Sequence, residues 1–509
     1  MSLPSGPSAI TQNWWVLTRG DIDATITQVG AIVAQLFIPV LLLAPVGVSP
    51  AFSLTHCLPG FASGFLVGSL GLVYLSWKLA RSQGRADVTA QVYGNNVPAI
   101  LTYTLSIFLP VYLRTHDVNQ AWGVGAAAVV WTGILKLCAA PFADSLRRYI
   151  PVPASMTVFG AAMYSYLALV VLQRLFDQPL VGIAALTIVG ITVFANVPVT
   201  RYRFPPFLFA WLIPLLLGIT VGYVHPFWSG AALVLPFVRA NNPLGAMAQA
   251  LPYLSVIAPM AMYHVLQAIT TVEGATAVGD NYDARSVVAW DAVGTLLCGM
   301  AGSIVTPVIY ALHPPYKALG ARIGFAFWTP VILLLVVMTG LTSFFAALFP
   351  WPILAALIAY VAVGVGRATL ARVDRKYLSV VLLGFVLPVG AVVSAVVNSA
   401  LAALQLSEAG ADVQAALDRS IYWASLRGLG NGFLFLVLVV ASVVTEAIDR
   451  HFGRAAIWCL VASLFSWFGL MHSAVLSWKS QPMYALGWLV AAAIVYSASF
   501  WRGSTEKSE

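Results

Sequence analysis

Charge is what this sequence has least of. Asp, Glu, Lys and Arg make up 9% of the 509 residues, against 60% apolar residues and a mean hydropathy of +0.88. Soluble domains carry about 25% charged residues, so this chain has too little polar surface to cover its apolar mass, and water is excluded as its main solvent. Cysteine is scarce too. Cys57, Cys138, Cys298 and Cys459 have no metal-ligand spacing; three fall in apolar runs and read as small packing residues, with no structural disulfide expected. No Walker A loop, zinc-type His cluster, nucleophile elbow or dinucleotide fingerprint occurs in a fitting context. ATP-driven transport and membrane hydrolysis are thereby removed, and no catalytic residue, metal or cofactor is expected. A charged n-region running straight into an apolar stretch with a small-residue cleavage site is also missing, so no removable signal peptide is expected.

Long apolar runs are what the chain has in abundance. A helix crosses a bilayer with about 20 apolar residues, because its backbone must satisfy itself there. About sixteen such stretches follow one another. They predict a cytoplasmic N-terminal segment 1–23, a first seven-helix repeat 24–224, a connecting loop 225–251, a second seven-helix repeat 252–448, and an appended helix pair with tail 449–509. The formal charge of +8 is spread singly or in pairs between the runs, so it speaks for orientation and against a nucleic-acid partner. With the N-terminus in the cytoplasm, nineteen of the 26 Lys and Arg fall in cytoplasmic loops and six outside, leaving Lys136 within a span. That bias is the one the positive-inside rule reads. The expectation is a multi-pass protein of the cell membrane, plasma or inner, with both termini cytoplasmic.

Seven is odd, so the second run of seven enters the membrane opposite to the first, as an inverted repeat requires. In such architectures a binding site lies near the midplane, where broken helices of the two halves meet. The third span opens with Tyr93-Gly94-Asn95-Asn96-Val97-Pro98-Ala99, and the tenth contains Gly302-Ser303-Ile304-Val305-Thr306-Pro307-Val308. Proline removes a donor and glycine permits close backbone approach, so both segments are predicted to run extended before turning helical. Extended backbone at that depth must be buried in protein or line a cavity; two ordinary loop-to-helix junctions are the plainer alternative.

Ionisable residues inside spans are costly and usually functional. Glu273 closes the eighth span, where a carboxylate in a polar cavity accepts ligand N–H groups or carries a proton; the alternative is a helix-end carboxylate reaching water. Gln267, six residues earlier, lies well round the helix from Glu273 and serves either as a helix-to-helix hydrogen-bonding group or as a ligand contact. His313, ahead of Pro314 and Pro315, titrates near neutrality and is a candidate proton relay or ligand contact, against a satisfied packing histidine. Asp291 reads as a structural charge or a partner for a polar group across the core. Lys136 reads as a cation seeking a carbonyl or an interface. His264 is a lesser candidate.

The run Thr271-Val272-Glu273-Gly274-Ala275-Thr276-Ala277-Val278-Gly279-Asp280, followed by Gly302-Ser303, Tyr310, His313-Pro314 and Lys317-Ala318-Leu319-Gly320-Ala321-Arg322-Ile323-Gly324, resembles the nucleobase-cation symporter-2, or xanthine/uracil permease, family. The likeness is to a branch with a His-Pro and Gly-Ala-Arg signature. Gly94-Asn95-Asn96 resembles the family's first-half motif, and Gly430-Asn431-Gly432 opens a span similar to its final core helix.

The resemblance covers roughly residues 20–448. It implies an all-α polytopic fold of 7+7 inverted repeats, with a core moving against a gate and short extended segments in spans 3 and 10; the about two extra C-terminal helices read from the apolar runs lie outside it. It also implies proton-coupled permeation of a nucleobase-like purine or pyrimidine by alternating access. Carried over, substrate binding falls to Glu273 and to Asn95, Asn96, Val97, Thr306 and Val308 of the two extended segments; the family's second acidic or amide contact has no clear match, and the reading of the residues themselves adds His313 and Gln267 to binding and assigns proton coupling to Glu273 and His313. The partners implied are a small-molecule substrate, protons and the lipid bilayer, with homodimerisation left open. The sequence departs from the family where Thr306-Pro307-Val308-Ile309-Tyr310 replaces a threonine-rich stretch. An anion transporter of the same fold and a transport-inactive membrane scaffold or receptor are the alternatives.

Overall fold

The computed structural model describes residues 16–191, 206–224, 243–310, 312–348, 350–404 and 411–501. Most of the expected N-terminal segment 1–23, residues 225–242 of the expected connection, and the tail after Trp501 lie outside the described residues. Among those described, eight helices are long and apolar enough to cross a membrane, or nine if the bent pair Trp423–Gly430 and Phe433–Ile448 is one span. Several apolar runs fold as shorter or broken helices, and others extend outside the described residues. The run from Val152, for example, passes into a π-helical stretch, Ala161–Leu167.

In chain order, the elements that position the site begin with α1 (Arg19–Leu36), α2 (Leu58–Gln83), β1 (Tyr93–Asn95), α3 (Val97–Thr115, with a π-helical turn at Thr104–Phe108), α4 (Val118–Ala139), α5 (Val152–Gly160) and α6 (Pro179–Val189). The second half follows with α7 (Leu254–Ala277), α8 (Ala284–Met300), β2 (Pro307–Ile309), α9 (His313–Ala318), α10 (Gly324–Met338), α11 (Trp351–Arg372), α12 (Leu378–Val386), α13 (Val389–Ala403), α14 (Trp423–Gly430) and α15 (Phe433–Ile448). The chain closes on α16 (Phe452–Phe468) and α17 (Pro482–Trp501), which pack on each other, with α16 also against α15.

Two packed bodies result. Helix α8 is held between α2 and α4, α10 lies on α1 and α2, and α7 lies on α4. The other body joins α5 to α11, α12 and α15, and α6 to α11. The first helices of each half therefore pack together and the later helices pack together, as interleaved inverted repeats do. Helix α7 touches both bodies, through α4 on one side and α5 and α15 on the other.

Local sequence explains the closeness of the first body. A Cβ at Gly64 of α2 would run into the Cys298 backbone, and one at Gly133 of α4 into that of Leu296. Small residues let helix backbones approach in lipid, where dispersion and not the hydrophobic effect drives association. The start of α1 is fixed by a capping box in which the Asp21 carboxylate accepts from Thr18 N–H (2.9 Å) and the Thr18 hydroxyl accepts from Asp21 N–H (3.1 Å). The other Asp21 oxygen accepts from the N–H groups of Arg322 (2.7 Å) and Phe325 (3.2 Å). One buried carboxylate thus joins the beginnings of α1 and α10 and satisfies donors that a helix start leaves open.

Candidate functional site

The two extended segments meet. Strands β1 and β2 pair antiparallel with Tyr93 opposite Ile309, Gly94 opposite Val308 and Asn95 opposite Pro307. The pairing continues beyond the strands, with Tyr310 N–H donating to Val92 O (2.7 Å) and Asn96 N–H to Thr306 O (3.0 Å). Pro307 brings no N–H and pushes Thr306 towards extended backbone. Gly94 is required because a Cβ there would overlap the Tyr310 ring. At the end of β1 the Asn96 side chain caps α3, its Oδ1 accepting from Ala99 N–H at 2.9 Å, which turns the chain from strand to helix.

Polar side chains converge on this crossing from four elements. From α1, Gln28 donates its amide to the Tyr93 carbonyl, and Gln35, two turns on, accepts from the Tyr310 hydroxyl at 3.1 Å. That hydroxyl also lies 2.6 Å from Asn95 O and 3.0 Å from Asn95 Oδ1, so one proton serves three acceptors. From α7, the Tyr263 hydroxyl faces the Asn96 side chain without forming a hydrogen bond. Gln267 follows one helical turn later on the same face, and α7 packs against β2. Five buried atoms around the crossing have no hydrogen-bond partner among the described residues: Gln28 Oε1, Asn95 Nδ2, Tyr263 OH, Gln267 Oε1 and the Thr306 hydroxyl. Buried polar atoms are almost always satisfied, so such a concentration calls for a reason.

A cavity of about 480 Å³ lies among α3, α7, α13 and the α14–α15 bend, and the crossing residues named above are not part of its lining. It starts beside Arg114 and Tyr253 and reaches Thr102 of α3 and Met260 of α7. Tyr263 lies one turn beyond Met260, and Ala99 one turn before Thr102. Ser394 and Asn398 of α13 and the bend Gly430-Asn431-Gly432 form its other wall.

The sequence candidates divide. Asn95, Asn96, Val97, Thr306 and Val308 are brought together at the crossing, and Gln267 lies one turn past Tyr263 on α7, which packs against β2. Glu273 and His313 are not brought there. Glu273 lies ten residues past Tyr263, about 15 Å along the helix. Its carboxylate is paired with Arg147 at 2.9 Å and is 23% exposed. The helix runs on past the crossing to a polar surface, and the acid at its end finds a cation there. His313 is buried, but its Nε2 sits 3.0 Å from the Asp280 carboxylate, which also takes Lys317 at 2.7 Å, Arg85 at 3.2 Å and the Thr89 N–H at 3.2 Å. Burial alone would raise the Asp280 carboxyl, but the hydrogen bonds from His313, Lys317 and Thr89 overcome it and hold the group below its ordinary value.

Sequence reasoning missed Gln28, Gln35, Tyr263 and Tyr310 as members of the crossing. A signal existed for the first two: amides seven residues apart in an apolar span share a helix face. It also left Lys136 and Asp291 apart. They form an ion pair of 2.7 Å with both side chains 0% exposed.

No protein-family model matches this chain, and no curated protein matches it. Solved structures do. The transmembrane domain of a cyanobacterium bicarbonate transporter, BicA, matches with 15% identity over 78% of this chain and 97% of that chain, at a TM-score of 0.49. The overall structure of SLC26A9 matches with 11% identity over 94% of this chain, at a TM-score of 0.50. The present chain spans 64% of SLC26A9. The fold is that of a polytopic membrane transporter. At these identities the likeness extends to the fold alone, and neither match is a nucleobase-cation symporter-2 protein by name.

Proposed function

We propose that this protein is a secondary transporter that binds a small, flat, polar molecule at the strand crossing and exposes it alternately to the two sides of the cell membrane as the two helix bodies move past each other. The observation that carries this reading is the mixed set of unpartnered groups there. Gln28 Oε1 and Gln267 Oε1 only accept, whereas Asn95 Nδ2 only donates and the hydroxyls of Tyr263 and Thr306 do either. A nucleobase-like heterocycle offers adjacent donors and acceptors on one edge and satisfies both kinds. Leaving them unmade would cost the full desolvation of each group. The crossing thus replaces Glu273 and His313 as the proposed binding region, and the cytoplasmic placement of both termini follows from the distribution of Lys and Arg.

A second reading, an anion carrier of the same fold, is favoured by one observation. Among the described residues no carboxylate hydrogen-bonds to Asn95, Asn96, Thr306 or Tyr310, so nothing of like charge repels an anion at the capped start of α3.

Uptake of labelled xanthine, uracil and bicarbonate into proteoliposomes, with and without Asn95→Ala and Gln267→Ala, tests the two together. The expected result is saturable uptake of a nucleobase, weakened about tenfold by either substitution through loss of one buried hydrogen bond. Uptake of bicarbonate alone would select the anion reading. Binding and uptake of none of the three would leave the transport-inactive scaffold.

A further inference from the structure

Lys136 and Asp291 stand apart from the crossing and from every surface charge. Lys136 Nζ lies 2.7 Å from Asp291 Oδ2 and donates to Thr295 Oγ1 at 2.7 Å, and both charged side chains are fully buried between α4 and α8. Taking two ions out of water costs several kcal/mol each, and a well-packed apolar pair of similar volume is often the more stable choice. Persistence of such a pair at membrane depth points to a use.

The surroundings say which use. Neither Asp291 oxygen has a hydrogen-bond partner among the described residues; Oδ2 has the ion-pair contact with Lys136 alone, and Oδ1 is open. From β1, the Tyr93 side chain reaches back to this pair, its hydroxyl donating to the Asp291 carbonyl at 3.3 Å, while the Tyr93 carbonyl takes the Gln28 amide at the crossing. From α7, His264 is fully buried with both ring nitrogens unpartnered. It stands next in sequence to Tyr263, on a helix that packs against both α4, which carries Lys136, and α8, which carries Asp291. From α8 itself, Cys298 lies within the field of both charges. Helix α2 faces this stretch of α8 with Gly64 and Gly68, and β2 offers no titratable side chain. The Arg285–Asp144 pair sits at the exposed end of α8.

We infer that Asp291, held by Lys136, is the proton-binding site that couples transport to a proton gradient, with His264 as the relay between it and the crossing. The pair is neutral as carboxylate and ammonium. A proton arriving through His264 forms an O–H bond at Oδ1 while Lys136 keeps its own proton, so the site goes from net zero to +1 and returns to zero when the proton leaves. A charge of +1 in low dielectric is unfavourable on its own. It becomes tolerable when substrate fills the crossing one tyrosine length away, and that dependence links the two events.

This inference rests on the transporter reading above, so the test has one arm that needs no substrate. In lipid-reconstituted protein, difference infrared spectroscopy during acidification should show a protonated-carboxyl band that is lost in Asp291→Asn. The second arm uses the doubly neutral variant Asp291→Asn with Lys136→Gln, which keeps a hydrogen-bonded pair and so is the version expected to fold. With xanthine as probe, exchange between equal concentrations should persist within about twofold of wild type, while accumulation driven by an inward proton gradient falls to the passive level. His264→Phe should slow gradient-driven accumulation more than exchange. Absence of an Asp291-dependent carboxyl band would overturn the assignment whatever the substrate proves to be. Undiminished proton-driven accumulation by the double variant would overturn it too, and so would equal loss of exchange and accumulation in a well-folded sample. A failure of xanthine uptake in wild type with the infrared band intact would count against the substrate alone.

Discussion

Two polar clusters lie at either end of the tenth span, and they are finished to different degrees. Around Asp280 the carboxylate itself is fully engaged: it holds His313, Lys317, Arg85 and a backbone N–H from Thr89, and the far ring nitrogen of His313, Nδ1, is the one cluster atom left without a partner among the described residues. The loop after α7, helix α9 and the segment before β1 are fastened by that one residue. At the strand crossing the side chains are as deeply buried, yet five polar atoms go unpaired. Saturation marks a group that holds structure, because removing it strands its partners. The open groups at the crossing are the ones the proposed ligand would satisfy, because folding alone gains nothing by leaving donors and acceptors open in a low dielectric.

Asp280→Asn should show the largest effect on stability, since three cationic or donor side chains lose their counter-charge. A loss of about 3 kcal/mol is expected, at the lower end for a buried pair because Arg85 and Lys317 are partly exposed. Thermal unfolding in detergent reads it. The pH dependence follows with a definite sign. The carboxyl sits below its ordinary value of 3.8 in the folded protein, so its stabilisation is intact above that value and is lost as pH falls through the lowered one. The variant should lack that acid limb, and an unchanged acid limb would mean the cluster is not saturated in the way described.

Gly94→Ala attacks the crossing from the steric side. The new Cβ meets the Tyr310 ring, so a loss of about 2 kcal/mol is expected, together with loss of uptake, and full function would show that the strands have room to part. Tyr310→Phe is gentler. It removes one proton shared among Asn95 and Gln35, for about 1 kcal/mol of stability, and it should weaken substrate affinity by more than it weakens the fold. If the order reverses, the crossing belongs with the Asp280 cluster as scaffold. Glu273→Gln should be the smallest change, about 0.5 kcal/mol, because its partner Arg147 is 43% exposed and the pair is screened. Uptake by this variant should match wild type, and abolished uptake would return the acid to the site.

The crossing was legible in Tyr93–Ala99 and Gly302–Val308 because proline and glycine constrain backbone directly, and a broken apolar span has few other readings. Gln267 was legible as an amide in apolar surroundings, though its facing was not. Glu273 and His313 stand apart from the crossing for one reason. Their chemistry announces proton exchange wherever they stand, whereas depth along the helix depends on where α7 ends and on which cation meets it. Arg147 and Asp280 come from other parts of the chain, and no spacing rule reaches them.

By itself the sequence determined that lipid surrounds this chain and that two spans are interrupted. Each of those follows from local composition: too little charge for water, and residues that cannot continue a helix. Only the tertiary structure decided that the interruptions pair as strands, that Lys136 meets Asp291, and that the expected acid lies with a surface arginine. Those are distances between residues remote in sequence, set by how closely glycine-bearing helices pack, and packing is a property of the assembled molecule.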